Sequence, residues 1–310
     1  MKISFVIPCY RSEKTIEGVV AEIKSVVGQR PEADYEIIMV SDHSPDNVYS
    51  VIEKMCAADP LHLCGLELAK NFGQQAALMA GFSRASGNIV FSLDDDGQAP
   101  VDAIWKLVDK IDRDGFDVVY GSYPVKKHSL FRNFGSLVNH YMAVCLVGKP
   151  KNLRISSFYA VKRFVLNEML RYHGPYPYPG GLIYRATKNI ASVEVNHRAR
   201  KIGTSGYTFR KLFALWMNGF TAFSVKPLRL ATWMGCGVAA LGFLFGLWTV
   251  FNKLFIHPES PAGYSSLMAV LLFLGGMLML MLGLIGEYIG RIYICLNQSP
   301  QYVVSKETRE

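Results

Sequence analysis

Two stretches of the chain carry no charged side chain: LATWMGCGVAALGFLFGLWTVFN at residues 230–252 and LMAVLLFLGGMLMLMLGLIG at residues 267–286. Wound as α-helices, each reaches across the hydrocarbon core of a bilayer, about 30 Å thick. A soluble fold would have to bury such helices on every side, and two of them joined by a short loop suit a membrane better. They predict a C-terminal hairpin of two membrane-spanning helices, at about 230–252 and 267–288, and they raise the mean hydropathy to +0.18. A hairpin leaves both flanks on one side. Lys226 and Arg229 precede the first span and Arg291 follows the second, whereas the loop KLFIHPESPAGYSS has one Lys and one Glu. The positive-inside bias therefore puts the head and both termini in the cytoplasm, on a multi-pass protein of the cytoplasmic (inner) membrane. The N-terminal MKISFVIPCY is too short in its apolar part for a signal peptide.

Ahead of the hairpin, strand-like and helix-like patterns alternate. ISFVIPCY, YEIIMVSD, CGLELA and NIVFSLDD are apolar runs, interleaved with EKTIEGVVAEIKSVVGQ, VYSVIEKMCAAD, GQQAALMAGFSRAS and VDAIWKLVDKIDRDG at helical spacing. Nearly continuous apolar strands are expected where helices cover both faces of a parallel sheet. The reading is an α/β, Rossmann-like, mostly parallel sheet over residues 1–206, an amphipathic juxtamembrane segment at 207–228, the hairpin at 229–290 and a cytoplasmic tail at 291–310. GPYPYPGG (174–181) reads as a loop and IASVEVNHRA as a strand. In this architecture ligands sit beyond the carboxyl ends of the strands. Three polar clusters, PCYRSE, SDHSPD and DDDGQ, end three of the strands, which points to one shared site.

Charge and cysteine usage narrow the chemistry. The net charge is +8, and residues 118–167 contain no Asp or Glu but eight Lys or Arg, Lys126, Lys127 and Arg132 among them. Residues 195–258 are also free of acids. Basic blocks near a membrane suit anionic lipid or a phosphate-bearing substrate, and no RNA- or DNA-binding motif accompanies them, so nucleic acid is not expected as a partner. The six cysteines form no CxxC pair and imply neither a disulfide framework nor a zinc site.

The segment FSLDDDGQAP places three carboxylates side by side. An extended chain with period two turns Asp94 and Asp96 to one side and Asp95 to the other, which makes Asp95 the replaceable one. Oxygen donors of this kind suit Mg²⁺ or Mn²⁺, which take one or two carboxylates plus substrate phosphates. No GxGxxG or GxxxxGK[ST] loop is present, so the dinucleotide and P-loop readings lose their support.

VIPCYRSEKTI, VSDHSPDN, LAKNFGQQAALMAG and SLDDDGQAP, in that order, together with the terminal hairpin and IGEYIGRIY at its exit, resemble the GT-A glycosyltransferases of family 2. More narrowly, the chain is similar to their polyprenyl-phosphate glycosyltransferase group. The resemblance implies that Pro8, Tyr10 and Glu13 line the nucleotide base and that Asp42 holds the base or ribose. Ser41 and His43 replace the first acid and the glycine of the D-D-G-S motif there. It places Lys70 and Asn71, with Gly73, near the donor, Asp94 on the nucleotide side, and Asp96 and Gln98, with Asp94, at the cation. Arg132 and Ser136 match the pattern expected to hold a lipid phosphate. Tyr123 stands where relatives often carry an arginine, which Lys126 or Lys127 would replace. Arg200 and Ser205, with Gly203 and Tyr207, match a stretch that closes over the pyrophosphate, although its lysine is Gly206. The segment SSFYAVKR lacks the acid and arginine of the frequent D-F-R version.

The resemblance implies inverting, metal-dependent transfer of one sugar from a nucleotide sugar, taken to be a UDP-sugar such as UDP-glucose, for cell-envelope glycan or glycoconjugate modification. A hydroxyl acceptor needs a general base, because its pKa is far above 7. Only Glu168 and Glu194 lie between residues 118 and 258, neither in a motif matching the family's acidic pair. A phosphate monoester, with its second pKa near ~6, is already ionised and needs no base. Polyprenyl (undecaprenyl) phosphate is therefore the expected acceptor. The alternatives are a sugar-hydroxyl acceptor on the same fold, and a non-catalytic membrane scaffold. The small-residue runs LGGM and GCGV permit close helix contact and hence homo-oligomers.

Overall fold

The computed structural model describes residues 1–123, 153, 155–175, 177–196, helical positions between 233 and 255, 263–297 and 299–309. The chain divides into two compact units, Met1–Lys211 with Gln298–Glu310, and Leu212–Asn297.

The first unit alternates as its apolar periodicity dictates: β1 (Lys2–Cys9), α1 (Ile16–Val27), β2 (Asp34–Ser41), α2 (Val48–Ala58), β3 (Leu63–Leu68), α3 (Gln74–Arg84) and β4 (Ile89–Ser92). A short 3-10 turn (Val101–Ala103) leads into α4 (Ile104–Asp112), followed by β5 (Val118–Ser122), β6 (Tyr159–Lys162), α5 (Arg163–Leu170), α6 (Pro179–Ala186) and β7 (Ile190–Glu194). The proline-rich stretch read as a loop ends inside α6, because Pro179 occupies the first turn of that helix, where its fixed φ and missing N–H cost nothing. The segment read as IASVEVNHRA contains β7.

The strands form one eight-stranded sheet in the order β7-β5-β6-β4-β1-β2-β3-β8. β1 through β4 run parallel, and β5 and β7 run parallel to each other. β6 enters antiparallel between β4 and β5. Tyr159, at its start, therefore lies at the same edge of the sheet as the ends of β4 and β5. Beneath α1, α2 and α4, one face buries alternate residues such as Ile3, Phe5, Ile7, Ile37, Met39 and Phe91 in a continuous core. On the opposite face α3 approaches so closely that a Cβ on Gly81 would lie 2.3 Å from Val6 Cγ1.

β8 (Val304–Glu307) comes from the tail, which the sequence reading kept apart from the head. It pairs antiparallel with β3, and Thr308 Oγ1 accepts the Gly65 amide at 2.8 Å. β8 is thereby the last strand of the sheet, and β3 is paired on both sides.

In the second unit, α7 (Tyr264–Leu296) is a 33-residue helix containing the second charge-free stretch. Phe273–Gly290 is long and apolar enough to cross a membrane, and it is the one such span among the described residues. Leu278, Met279 and Leu282 are each more than half exposed in the protein alone, as lipid-facing side chains are. The segment 207–228 lies outside the described residues.

Candidate active site

The carboxyl ends of β1, β2 and β4 bring the three polar clusters together, and hydrogen bonds join them. From the first loop, the Arg11 amide donates to Ser44 Oγ at 2.7 Å, and the Glu13 amide to Asp46 Oδ2 at 3.0 Å. In return the Asn47 amide donates to Glu13 Oε2 at 3.3 Å. Two non-glycine residues here adopt the left-handed region, Arg11 at φ 58 and His43 at φ 48. His43 stands where the family motif has glycine, the residue for which this region carries no side-chain penalty.

Asp42 is almost completely buried, 3% exposed, and both carboxylate oxygens are engaged. Oδ1 accepts the Phe72 amide at 2.7 Å and Oδ2 the Gly73 amide at 2.8 Å, while Asn71 Nδ2 donates to the Asp42 carbonyl at 3.2 Å. Burial pushes this carboxyl up from its ordinary value, against the two amide bonds that favour its charge. Asp42 therefore shapes the Lys70–Gly73 turn from below. Gly73, at φ +92, makes that turn possible. Lys70 is exposed, its ammonium 4.9 Å from the centre of the Phe72 ring. Pro8 is buried at the penultimate position of β1, beneath the loop and not on its surface, whereas Tyr10 is 45% exposed.

The three aspartates separate, but not by strand periodicity. β4 ends at Ser92, and the chain turns at Asp95–Asp96 before Gly97 takes φ +71. Asp94 and Asp96 both lie near Tyr123: burial first, and then their two charges, push its phenol up to about 12. Asp96 Oδ1 accepts the Gln98 amide at 3.0 Å within the turn. Asp95 points the other way, its Oδ2 accepting the Tyr10 amide at 2.9 Å. Burial pushes Asp95 up to about 6, against the Tyr10 amide and the nearby Ser12 hydroxyl. Asp95 points away from its neighbours, as expected, and it also anchors the first loop of the site.

Two contacts escaped the sequence reading. Gln74 Nε2 donates to Asp94 Oδ1 at 2.9 Å, and the Ser157 hydroxyl donates to Asp94 Oδ2. The available signals were that Gln74 directly follows the K-N-x-G turn and that Ser157 stands in the segment lacking the usual acid. Beside them, Tyr159 and Tyr120 pack with ring centres 5.3 Å apart. Lys126, Lys127, Arg132, Ser136, Arg200, Gly203, Ser205, Gly206 and Tyr207 lie outside the described residues.

Among the described residues no group of three or more His, Cys, Asp or Glu could hold a metal ion alone. Two carboxylates and an amide in one turn fit a hard divalent cation that completes its shell with phosphate and water, and they do not fit a closed protein cage.

Residues 4–187 match the family described as glycosyl transferase family 2, and residues 226–292 match the GtrB C-terminal hairpin. The undecaprenyl-phosphate 4-deoxy-4-formamido-L-arabinose transferase of Yersinia pestis (strain Pestoides F) is 32% identical over 306 residues, 98% of this chain and 93% of that one. The enzyme of the same name from Klebsiella pneumoniae (strain 342) is 31% identical over 310 residues, covering 100% and 94%. The uncharacterised glycosyltransferase YkcC of Bacillus subtilis (strain 168) is 31% identical, covering 98% and 93%. A solved structure of Mycobacterium tuberculosis glucosyl-3-phosphoglycerate synthase with Mn²⁺ and UDP-glucose is 21% identical, with a TM-score of 0.49 over 71% of this chain and 76% of that one. The chain belongs to glycosyl transferase family 2, as a glycosyltransferase whose GT-A-like head is followed by a GtrB-type C-terminal hairpin.

Proposed function

We propose that the protein transfers a single sugar, with inversion, from a nucleotide sugar to a polyprenyl phosphate at the cytoplasmic face of a membrane. The observation that carries this reading is the acidic turn after β4, with Asp94 and Asp96 beside Tyr123 at the carboxyl edge of the sheet and Asp95 turned away. Support for the acceptor comes from the near full-length relatives named undecaprenyl-phosphate sugar transferases and from the scarcity of acids between residues 118 and 258. Asp96 and Gln98 would hold Mg²⁺ or Mn²⁺, with Asp94 on the nucleotide side of the turn. A bound cation of this kind stabilises charge on a departing diphosphate. Tyr10, Glu13 and the Lys70–Gly73 turn, which Asp42 holds in shape, form the nucleotide side, and Lys70 supplies a cation there. Arg200 and Ser205 are assigned to the pyrophosphate, and Lys126, Lys127, Arg132 and Ser136 to the lipid phosphate. An ionised phosphate oxygen is itself the nucleophile, so the chain needs to orient it and no side chain need take its proton.

The donor is taken to be a UDP-sugar, UDP-glucose first. The full chain in detergent, with Mn²⁺ or Mg²⁺ and a panel of nucleotide sugars, is incubated with undecaprenyl phosphate and separately with free sugars and undecaprenol. A lipid product heavier by one sugar, with phosphate alone as acceptor, is expected. Product only with a hydroxyl acceptor would overturn the acceptor assignment.

A further inference from the structure

Asp94 is held by two side chains that arrive from distant parts of the fold. Gln74, the first residue of α3, donates Nε2–H to Oδ1 at 2.9 Å, and Ser157, on the approach to β6, donates its hydroxyl to Oδ2. Asp96 Oδ1 accepts the Gln98 amide from within its own turn. A carboxylate with a neutral donor on each oxygen, from two directions, has its plane fixed, because rotation would break both bonds. Each carboxylate oxygen accepts hydrogen bonds in up to two directions, and the two donors set how those directions lie. Fixed in this way, a carboxylate is well prepared to accept a pair of hydroxyls, as a sugar or ribose diol presents.

We propose that Gln74 and Ser157 are positioning residues that aim Asp94 at hydroxyl groups of the donor nucleotide sugar. This inference rests on the reading of the protein as a nucleotide-sugar transferase. It assigns work to two residues outside the motifs, and it makes Ser157 a control on donor binding.

The test uses the full chain in detergent and the variants Ser157→Ala, Ser157→Thr and Gln74→Ala. Ser157 is exposed, so its replacement leaves the core untouched. Mn²⁺ affinity is read from the electron paramagnetic resonance signal of the free ion, and UDP and UDP-glucose affinities by calorimetry at saturating Mn²⁺. Loss of one hydrogen bond to a charged group is expected to weaken UDP-glucose binding about tenfold in Ser157→Ala and in Gln74→Ala. Ser157→Thr should return it to within about twofold, with Mn²⁺ affinity unchanged throughout. In turnover the effect should fall on KM and leave kcat nearly intact. Unchanged nucleotide affinity in the variants, or a matching loss of Mn²⁺ affinity, would overturn the inference while leaving the functional reading standing. A wild-type chain that binds no nucleoside diphosphate would overturn the functional reading and this inference with it.

Discussion

The Tyr10 amide donates to Asp95 Oδ2 at 2.9 Å, so the loop after β1 hangs on the middle aspartate of the turn after β4. Replacing Asp95 by Ala strands that amide, and destabilisation of about 1–3 kcal/mol is expected in urea unfolding. Asp95→Asn keeps an acceptor and should cost less. The pH dependence follows from burial raising Asp95 to about 6. A carboxyl whose folded pKa lies above its unfolded value contributes stability below the unfolded pKa and loses it as pH rises through the folded one. Wild-type stability without divalent cations should therefore carry a falling component between about pH 4 and 6, which Asp95→Asn removes.

His43, at φ 48, occupies a conformation that favours glycine. A left-handed backbone costs a side chain about 1–2 kcal/mol, part of which glycine returns through its larger unfolded-state entropy. His43→Gly should be neutral or stabilising by about 1 kcal/mol, and the β-branched His43→Val destabilising by about 1–2 kcal/mol. Thermal unfolding of the two variants separates strain from any contact the imidazole makes, since a contact would make both destabilising.

Glu36 lies at the end of the sheet away from the site and is 3% exposed. It accepts from Ser4 Oγ at 2.6 Å and the Ser86 amide at 2.6 Å, and Lys2 Nζ lies 3.0 Å away. Burial raises its pKa, but these donors outweigh it and hold the carboxyl below its usual range. A depressed carboxyl contributes stability above its unfolded pKa and loses it as pH falls through the folded one, so this contribution should fade below about pH 4. Glu36→Ala leaves the donors unpaired, and a loss of about 3 kcal/mol is expected by denaturant titration.

The tail adds a strand to the β3 side of the sheet. The Gly65 amide donates to Thr308 Oγ1 at 2.8 Å and the Ala69 amide to the Val303 carbonyl at 2.8 Å. Removing residues 302–310 should speed hydrogen exchange at these two amides by about tenfold or more. The Ile37 amide, bonded to the His62 carbonyl, should keep its protection. The pair Lys306–Glu67, whose ammonium is exposed, should contribute little by comparison.

Local pattern carried much of this fold into the sequence. Apolar runs ending in PCY, SD and SLD mark β1, β2 and β4, and their polar ends meet as expected. β6 and β8 were not legible, because YAVK and VSKE are short and acquire meaning only through partners far along the chain. Within the site, residue types were readable but orientations were not. Asp94 and Asp96 share a side because the chain turns at Asp95–Asp96, with Gly97 at positive φ, and not because a strand continues. The motif assigns Asp42 to the nucleotide, and it does not spell out that the Phe72 and Gly73 amides each bond one of its oxygens. Ser157 was conspicuous only for what it is not.

The division of labour within DDDGQ is tested most directly by lipid-linked sugar formation in wild type, Asp96→Ala and Asp95→Asn, each with Mn²⁺ and with chelator, after near-ultraviolet circular dichroism has shown all three folded. The expected result is turnover in wild type that chelator abolishes, none in Asp96→Ala at any Mn²⁺ concentration, and most of the wild-type rate in Asp95→Asn. Turnover by Asp96→Ala, or by wild type in chelator, would contradict the reading of this turn as the cation-binding centre of the transfer.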